Sequence, residues 1–426
     1  MIVYLICYAA SWIFARFGLY YLSGAALFLA AGYLYVYDYR RSGNLIHLRG
    51  LFSCFWVGGQ GAACLKLSKL QTDWAIQTWI CFFLALVGFW ITFEVLDRLM
   101  GGNERFTMNR YRQRSTVRPL FFCIVGLTVI SAAAFVTEAA VLGFIPVLVR
   151  GVPHAYSAFH MTGLHYVTVS CVLIPAMTVL YFEQGGSRSG RKNGLIVLCT
   201  LVSIAIPILC VSRFQLVFAV ILAVFTFCAS QKNVSPWLFV AAVVALIPCY
   251  VLLTVARSHD VTYLNGIFEM KNSRMPIFVS QPYIYIANNY ENFDCLVKAL
   301  PAHTWGIRML FPVWALTGLK FLYPYLVSFP IYVDKTELTT VTLIYDAYYD
   351  FGIIGVLVFA CILGAVCFFL VEKLHEMKNP MGYLFYGQMA IYMMLSFFTT
   401  WFSNPTTWFY FLVTAVLTFY CSVSRR

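Results

Sequence analysis

Long apolar runs alternate with short polar connectors along the whole chain. An α-helix rises about 1.5 Å per residue, so a run of about 20 apolar residues crosses the ~30 Å hydrocarbon layer of a membrane. Twelve runs of about this length are the predicted spans. They lie near residues 1–15, 19–37, 49–66, 74–97, 119–142, 164–183, 194–210, 214–230, 236–256, 351–371, 382–400 and 406–422. We therefore expect an all-α polytopic membrane protein.

The lengths of the connectors divide the chain into three parts. These are residues 1–256, with nine predicted spans and an outer loop at 143–163, residues 257–350, which form one large extracytoplasmic loop, and residues 351–426, with the last three spans. Met1 leads directly into an apolar run without a basic region, so we expect a retained first span and no cleaved signal peptide.

The large loop contains one predicted interfacial segment and one predicted helix. The apolar stretch from Ile307 to Ser328 includes Arg308, and counting it as a thirteenth span would reverse the orientation of the last connectors. We therefore expect it to be re-entrant or interfacial. Ser280, followed by Pro282, is typical of a helix start, with the serine as N-cap and the proline in the first turn.

The basic residues are concentrated in alternate connectors, which predicts how the chain is oriented. Short loops rich in Lys and Arg stay on the cytoplasmic side of the membrane. The connectors that carry this signal contain Arg40 and Arg41; Arg98, Arg105, Arg110, Arg112, Arg114 and Arg118; Arg188, Arg191 and Lys192; Lys232; Lys373 and Lys378; and Arg425 and Arg426. Both termini are therefore predicted to be cytoplasmic.

The composition excludes several classes of protein. Hydrophobic residues make up 61% of the 426 positions and charged residues only 11%. The net charge of +12 is explained by the cytoplasmic retention signal and by contact with anionic lipid headgroups, so we expect the lipid bilayer as a partner and no nucleic acid. The chain has no Cys-x-x-Cys or His-x-x-His spacing, and we predict neither a metal site nor a cofactor.

Three arginines lie at the predicted outer ends of spans or in short outer connectors. They are Arg150, Arg213 and Arg257. A single arginine there is explained equally well by contact with lipid headgroups. Three together suit a diphosphate, because each guanidinium offers bidentate hydrogen bonds and stays charged in a partly apolar site. We predict that they bind a lipid-linked diphosphate at the outer leaflet.

Candidate catalytic groups lie in the same outer regions. They are His154, His160, His165, His259, Glu138 and Asp346. A neutral histidine or a carboxylate at the outer face can accept the proton of an attacking hydroxyl. The alternatives are packing for each histidine, an arginine partner for Glu138, and a helix cap for Asp346. For Asp350 we favour the helix cap.

Tyrosines and asparagines crowd the outer segments and suggest a carbohydrate site. The candidates for sugar binding are Tyr283, Tyr285, Asn289 and Tyr345. Apolar sugar faces pack on aromatic rings, and sugar hydroxyls form hydrogen bonds with side-chain amides. Interfacial packing explains such rings equally well.

Three segments resemble a known family. They are GFIPVLVRG with the following LHYV, the span start SRFQLVFAV, and YYDFGIIGVLVFACILG after the large loop. Together with the topology of most of the chain, they resemble the bacterial oligosaccharide repeat-unit polymerases of the O-antigen polymerase type, which also build capsules and exopolysaccharides.

The resemblance implies a GT-C-like glycosyltransferase in the bacterial cytoplasmic (inner) membrane, acting on undecaprenyl-diphosphate-linked oligosaccharides without a nucleotide or a metal. One sugar hydroxyl would attack the anomeric carbon of a growing chain and expel the lipid diphosphate. Arg150, Arg213 and Arg257 match, by position, the cations that this leaving group needs. Whether a chain-length regulator binds beside the spans stays open.

Three alternatives remain. An O-antigen ligase-like enzyme shares the chemistry and differs in its acceptor. A transporter or lipid-linked-oligosaccharide flippase fits twelve spans with both ends inside, although it would more typically have two similar halves and short outer loops. A membrane scaffold leaves the outer arginines unexplained.

Overall fold

The computed structural model describes residues 1–100, 117–149, 155–231, 237, 261–272, 274–375 and 377–423. This part of the chain is helical and contains no β-strand. Seven helical stretches in it are long and apolar enough to cross a membrane, which is consistent with the predicted polytopic membrane protein. They are Ile76–Met100, Val117–Leu142, Leu164–Glu183, Gly190–Leu209, Arg213–Ser230, Tyr345–Leu374 and Pro405–Val423.

The described residues fall into two compact units. The first comprises Met1–Phe106, Asp260–Glu372 and Tyr392–Thr407, and the second comprises Thr107–His259, Lys373–Ile391 and Trp408–Arg426.

The first unit begins with four helices. They are α1 (Ile2–Arg16), α2 (Tyr20–Ser42), α3 (Leu48–Cys64) and α4 (Ile76–Met100). Helices α2 and α3 approach closely at Gly24 and Gly61, since a Cβ atom on Gly24 would lie 2.8 Å from the carbonyl oxygen of Gly61. Small residues allow such close approach in membrane helix pairs.

Helices α5 to α10 belong to the second unit. They are α5 (Val117–Leu142), α6 (Ala155–Ala158), α7 (Leu164–Val169), α8 (Ile174–Glu183), α9 (Gly190–Leu209) and α10 (Arg213–Ser230). A 3₁₀ turn, Ser170–Leu173, joins α7 to α8, so the predicted span near 164–183 is one helical stretch with a local irregularity. Helix α5 packs on α7, α8 and α9, and α10 packs on α8. The predicted span near 236–256 lies outside the described residues.

The region between the two long groups of spans contains α11 (Val261–Phe268), α12 (Ile277–Ala299), α13 (Phe311–Leu316) and α14 (Leu319–Leu322). Helix α12 begins at Ile277 with Pro276 as N-cap, one turn before the predicted start at Ser280, and it contains Pro282. The longest helix between Ile307 and Ser328 has only six residues, in agreement with the expectation that this segment is not a span.

Three further helices lie in the described residues that follow: α15 (Tyr345–His375), α16 (Met381–Met394) and α17 (Pro405–Val423). Helix α16 is shorter than the predicted span near 382–400, because the chain turns after Met394 and forms a 3₁₀ turn at Trp401–Ser403. The Ser396 carbonyl accepts a hydrogen bond from the Leu343 N–H (2.9 Å). The apolar residues after Met394 are thus partly packed within the first unit.

Candidate functional site

The start of α15 and the segment from Thr304 to Met309 are joined by two carboxylates. Asp346, in the first turn of α15, accepts a hydrogen bond from Nε of Arg308 through Oδ1. Asp350 accepts the backbone N–H groups of Arg308 (3.2 Å) and Met309 (2.7 Å) and the hydroxyl of Thr304. Asp350 therefore holds a neighbouring turn, which corrects its predicted role as a cap of the span that begins near residue 351.

Arg308 is a partly buried cation whose outer nitrogens are still available for a ligand. Its side chain is 15% exposed and that of Asp346 is 6% exposed. Among the described residues, Nη1 and Nη2 of Arg308 have no hydrogen-bond acceptor. Burial alone lowers the pKa of Arg308, but the adjacent carboxylate of Asp346 outweighs this effect and raises the pKa above its ordinary value. The guanidinium therefore keeps its charge.

Two tyrosine rings fix the orientation of the guanidinium of Arg308. Its central carbon lies 5.3 Å from the ring centroid of Tyr345 and 4.6 Å from that of Tyr349. Such contacts stabilise a cation over an aromatic face. The Tyr345 hydroxyl donates to the Tyr332 carbonyl (3.0 Å) and accepts from the Tyr332 N–H (2.8 Å), which holds that ring in place.

The pair Arg308–Asp346 lines a cavity of about 350 Å³ in the first unit, which we call the Arg308 cavity. Its other lining residues are Phe311, Val327, Phe329, Ile331, Thr400, Ser403, Asn404 and Pro405. An apolar cavity with a few convergent polar groups is a common form of ligand site. The charged pair, three polar side chains and a wall of rings and aliphatic groups suit a ligand that is both anionic and hydroxylated.

The second unit contains another candidate group, built on Glu138 of α5. This carboxylate is fully buried and accepts the Met161 N–H (3.0 Å) and the Thr168 hydroxyl (2.7 Å). Nδ1 of His165 lies 3.2 Å from each of its two oxygens. Two residues that the sequence predicted separately therefore form a carboxylate–histidine pair, and the predicted arginine partner of Glu138 is absent from these contacts.

The pairing with Glu138 determines which nitrogen of His165 is available. A carboxylate only accepts hydrogen bonds, so Nδ1 carries the proton and the other ring nitrogen, Nε2, is left to accept one. The side chain of His165 is 20% exposed, and its ring centroid lies 4.9 Å from that of His160. Three of the predicted catalytic residues therefore lie together in the second unit.

Only one of the three predicted diphosphate ligands lies within the described residues. Arg213 is the first residue of α10 and is partly exposed. The turn that precedes it is packed, since Val211 and Leu216 form an apolar cluster with Val147. Arg150, Arg257, His154 and His259 lie outside the described residues.

The predicted sugar ligands separate into two groups. Tyr345 contacts Arg308 at the Arg308 cavity, and Tyr285 is 36% exposed, with its ring near that of Phe398. Tyr283 is buried and donates from its hydroxyl to Gln71 (2.6 Å).

Asn289 is completely buried, and its polar atoms are used within the fold. Its amide nitrogen donates to the carbonyls of Tyr285 (2.6 Å) and Phe397 (2.8 Å), and its amide oxygen accepts from Thr340 (2.6 Å). Asn289 and Tyr283 therefore connect segments of the first unit in this structure. Their polar groups are hydrogen-bonded within the fold, and their role as sugar ligands stays a prediction.

Arg308 is the charged residue of this site that the sequence did not single out as a ligand. Its position in an apolar stretch indicated an interfacial anchor, whereas the structure pairs it with Asp346. The feature of the sequence that could have identified Arg308 as a site residue is a charged side chain inside an apolar segment. Among the described residues, no three His, Cys, Asp or Glu side chains are grouped as metal ligands would be.

In comparisons with known proteins, no protein-family model, no curated protein and no solved structure matches this chain.

Proposed function

We propose that this protein polymerises undecaprenyl-diphosphate-linked oligosaccharide repeat units into a surface polysaccharide, by glycosyl transfer with the lipid diphosphate as leaving group. It would act at the outer face of the bacterial cytoplasmic membrane, as a GT-C-like enzyme with about twelve spans and both termini in the cytoplasm. The resemblance of three segments to the repeat-unit polymerases and the distribution of basic residues support this proposal.

The observation that carries the proposal is the Arg308–Asp346 pair in its cavity. Arg308 presents Nη1 and Nη2, which are suited to bidentate binding of a phosphate. Oδ2 of Asp346 receives no hydrogen bond from the described residues, because Arg308 binds Oδ1. A cation for a leaving group and a carboxylate oxygen for a hydroxyl proton thus line one cavity, in the outer loop of the proposed topology.

The proposed glycosyl transfer needs only two kinds of group, a cation for the leaving diphosphate and a base for the hydroxyl proton. The hydroxyl oxygen of the acceptor sugar forms a bond to the anomeric carbon of the donor. The bond from that carbon to the diphosphate oxygen breaks, and its electron pair leaves on the diphosphate. The hydroxyl proton passes to a base. Fixed cations near the leaving oxygens stabilise the charge that develops there.

Two described groups can accept that proton, one in each unit. Asp346 offers Oδ2 in the Arg308 cavity, and His165 offers Nε2, with Glu138 holding its other nitrogen. The first unit supplies the cation together with the carboxylate, so we assign Asp346 as the base and Arg308 as a diphosphate ligand. Arg213, Arg150 and Arg257 are further proposed diphosphate ligands.

The direct test is polymerisation by the purified protein in detergent, with lipid-diphosphate-linked repeat units and no added metal. We expect a ladder of products on a gel. Arg308→Ala and Asp346→Asn should abolish the ladder. The matched controls are Arg274→Ala and Glu337→Gln, since both side chains are exposed and belong to the same unit. These controls should extend chains normally.

The other outcomes separate the alternatives. A single transferred product without a ladder would favour a ligase-like enzyme. No product, from folded protein with authentic substrate, would contradict the proposal and favour the flippase, for which movement of the lipid-linked oligosaccharide across liposomes is the next measurement.

A further inference from the structure

A buried ion-pair network in the first unit lies apart from the residues that line the Arg308 cavity. Arg49 of α3 has a side chain only 2% exposed and donates to Asp38 of α2 from Nε (2.9 Å) and Nη2 (2.5 Å). It also donates to Glu94 of α4 through Nη1 (2.7 Å). The guanidinium thereby joins three helices.

The same network extends to the ends of α2 and α4. Arg41 donates to Glu94 (3.3 Å) and Asp97 (2.7 Å), and Nε of Arg98 donates to Glu94 (3.1 Å). Among the described residues, three carboxylates therefore face three guanidiniums in this network. Arg98 is bound through Nε alone, and its side chain is 74% exposed.

Arg40 is a further cation beside this network. It is exposed, and it has no hydrogen bond, ion pair or ring contact with any described residue. Arg40, Arg41, Arg98 and Glu94 line one end of a cavity of about 910 Å³. That end carries an excess of positive charge, with the outer nitrogens of two guanidiniums available to an anion.

The other end of this cavity is an apolar strip on α2. It is formed by Gly32, Tyr33, Val36 and Tyr37, and the side chains of the last three are about two fifths exposed. From Gly32 to Arg40 the helix advances about 12 Å. A Cβ atom on Gly32 would meet nothing within 4 Å, so the groove is open beside it.

We propose that this groove binds one anionic phospholipid, with its phosphate between Arg40 and Arg98 and an acyl chain along the strip from Gly32 to Val36. Basic pockets between membrane helices recognise anionic headgroups, and anionic lipids are concentrated in the cytoplasmic leaflet, where the basic connectors place this end of α2. The inference requires that α2 and α4 lie in a membrane, and it does not depend on polymerase activity.

The apolar strip is the reason for choosing a lipid over free phosphate. Phosphate alone would bind the guanidiniums. It would leave the apolar strip beside Gly32 exposed. A phospholipid matches both ends, with charge at the arginines and hydrocarbon along the helix. The ion pairs beside the groove hold Arg41, so the groups that remain for a phosphate are the guanidinium of Arg40 and the outer nitrogens of Arg98.

Binding of single lipids to the delipidated, detergent-solubilised protein, titrated by native mass spectrometry, tests the proposal. The probes are phosphatidylglycerol, phosphatidylcholine with the same acyl chains, and inorganic phosphate. We expect at least about tenfold tighter binding of the first phosphatidylglycerol than of phosphatidylcholine. Equal binding of the two lipids would overturn the headgroup site, and saturation by phosphate without any lipid preference would overturn the lipid assignment.

Two independent sets of substitutions test where the phospholipid binds. Arg40→Gln with Arg98→Gln should remove the preference for phosphatidylglycerol, whereas Arg188→Gln with Arg191→Gln, two exposed arginines of the second unit, should keep it. Gly32→Leu should fill the groove and weaken binding about tenfold.

Gly126→Leu is the matched control for Gly32→Leu, because a Cβ atom on this helical glycine of α5 also meets nothing within 4 Å. It should bind phosphatidylglycerol as the parent does. Unchanged lipid preference in the double arginine variant, or unchanged affinity in Gly32→Leu, would overturn the proposed position.

Discussion

Asp346 and Asp350 lie four residues apart at the start of α15, and both bind the segment that contains Arg308. Asp346 binds its side chain, and Asp350 binds its backbone N–H. Residues at this spacing share one face of a helix. One turn of α15 therefore fixes both where the Arg308 main chain lies and which way its guanidinium points.

The substitutions Asp350→Asn and Asp346→Asn should have different effects on the protein. Asp350→Asn replaces an acceptor of the Met309 N–H by a donor, and a buried N–H left without an acceptor costs about 1–3 kcal/mol. We expect faster hydrogen exchange at Thr304–Met309, measured by mass spectrometry. Asp346→Asn should abolish polymerisation and leave this exchange nearly unchanged. Equal protection in the parent and Asp350→Asn would contradict the assignment.

Gly352 allows α15 to continue past a local break. Its φ of 63° and ψ of −147° are accessible essentially only to glycine, and a Cβ atom there would lie 3.0 Å from Nε2 of His303. Gly352→Ala should therefore destabilise the protein by about 1–3 kcal/mol, seen as a lower melting temperature in detergent. Gly126→Ala, in an open helical position, should be neutral or slightly stabilising. A melting temperature unchanged by Gly352→Ala would contradict the strain at this residue.

The positions of the long helices were largely predictable, because a membrane span is a local property of the sequence. The span expected near 119–142 is α5, Val117–Leu142, and the span expected near 406–422 is α17, Pro405–Val423. The prediction near 382–400 fails at its C-terminal end. Apolar residues there are partly packed in the protein, and hydropathy does not distinguish a lipid environment from a protein interior.

The candidate site was predictable only one residue at a time. Asp346 and Tyr345 were identified as candidates, but their partner Arg308 lies 38 positions away, and its pairing depends on how the loop packs on α15. Asn289 shows the opposite case. An asparagine in an aromatic-rich outer segment resembles a sugar ligand in composition, and the sequence did not indicate its burial or its three internal hydrogen bonds.

Glu291 should make stability depend on pH. This carboxylate of α12 accepts hydrogen bonds from the N–H and hydroxyl of Thr72 and from the Trp74 indole. Burial raises its pKa from the ordinary 4.5 to about 7. The folded state then holds the proton more tightly, so the stabilisation is complete below about pH 4.5 and is lost as the pH rises through about 7.

The measurement is the melting temperature of the detergent-solubilised protein between about pH 4.5 and 8. The contribution of Glu291 should fall across this range by roughly 3 kcal/mol at most. Glu291→Gln should remove this part of the pH dependence, whatever its effect on absolute stability. Glu337→Gln, which changes an exposed carboxylate, should retain it. Identical pH slopes for Glu291→Gln and the parent would contradict the assignment.

Arg213 remains the predicted diphosphate ligand of the second unit. We expect Arg213→Ala to abolish chain extension at normal protein levels, because the side chain is partly exposed and its loss should not unfold the helices. Arg213→Lys should also impair extension, since an ammonium cannot replace bidentate binding. Arg191→Ala is the control in the same unit. Polymer of full length from Arg213→Ala would contradict this role.

The pair Glu138–His165 competes with Asp346 for the role of base, and one substitution separates them. In Glu138→Gln a neutral amide replaces the carboxylate, so the negative charge that would stabilise His165 after it accepts a proton at Nε2 is lost. If His165 were the base, chain extension would fall by about 10²–10⁴-fold, as is usual for the loss of general base catalysis.

If Asp346 is the base, as we assign it, the rates of chain extension should follow a different pattern. Initial rates with saturating lipid-linked donor should fall by less than about tenfold in Glu138→Gln and by at least about 10²-fold in Asp346→Asn. Thr168→Val is the matched control for the second unit, since it removes one hydrogen bond to Glu138 and leaves His165 facing the carboxylate. A large loss in Glu138→Gln with normal activity in Asp346→Asn and Thr168→Val would transfer the role of base to His165.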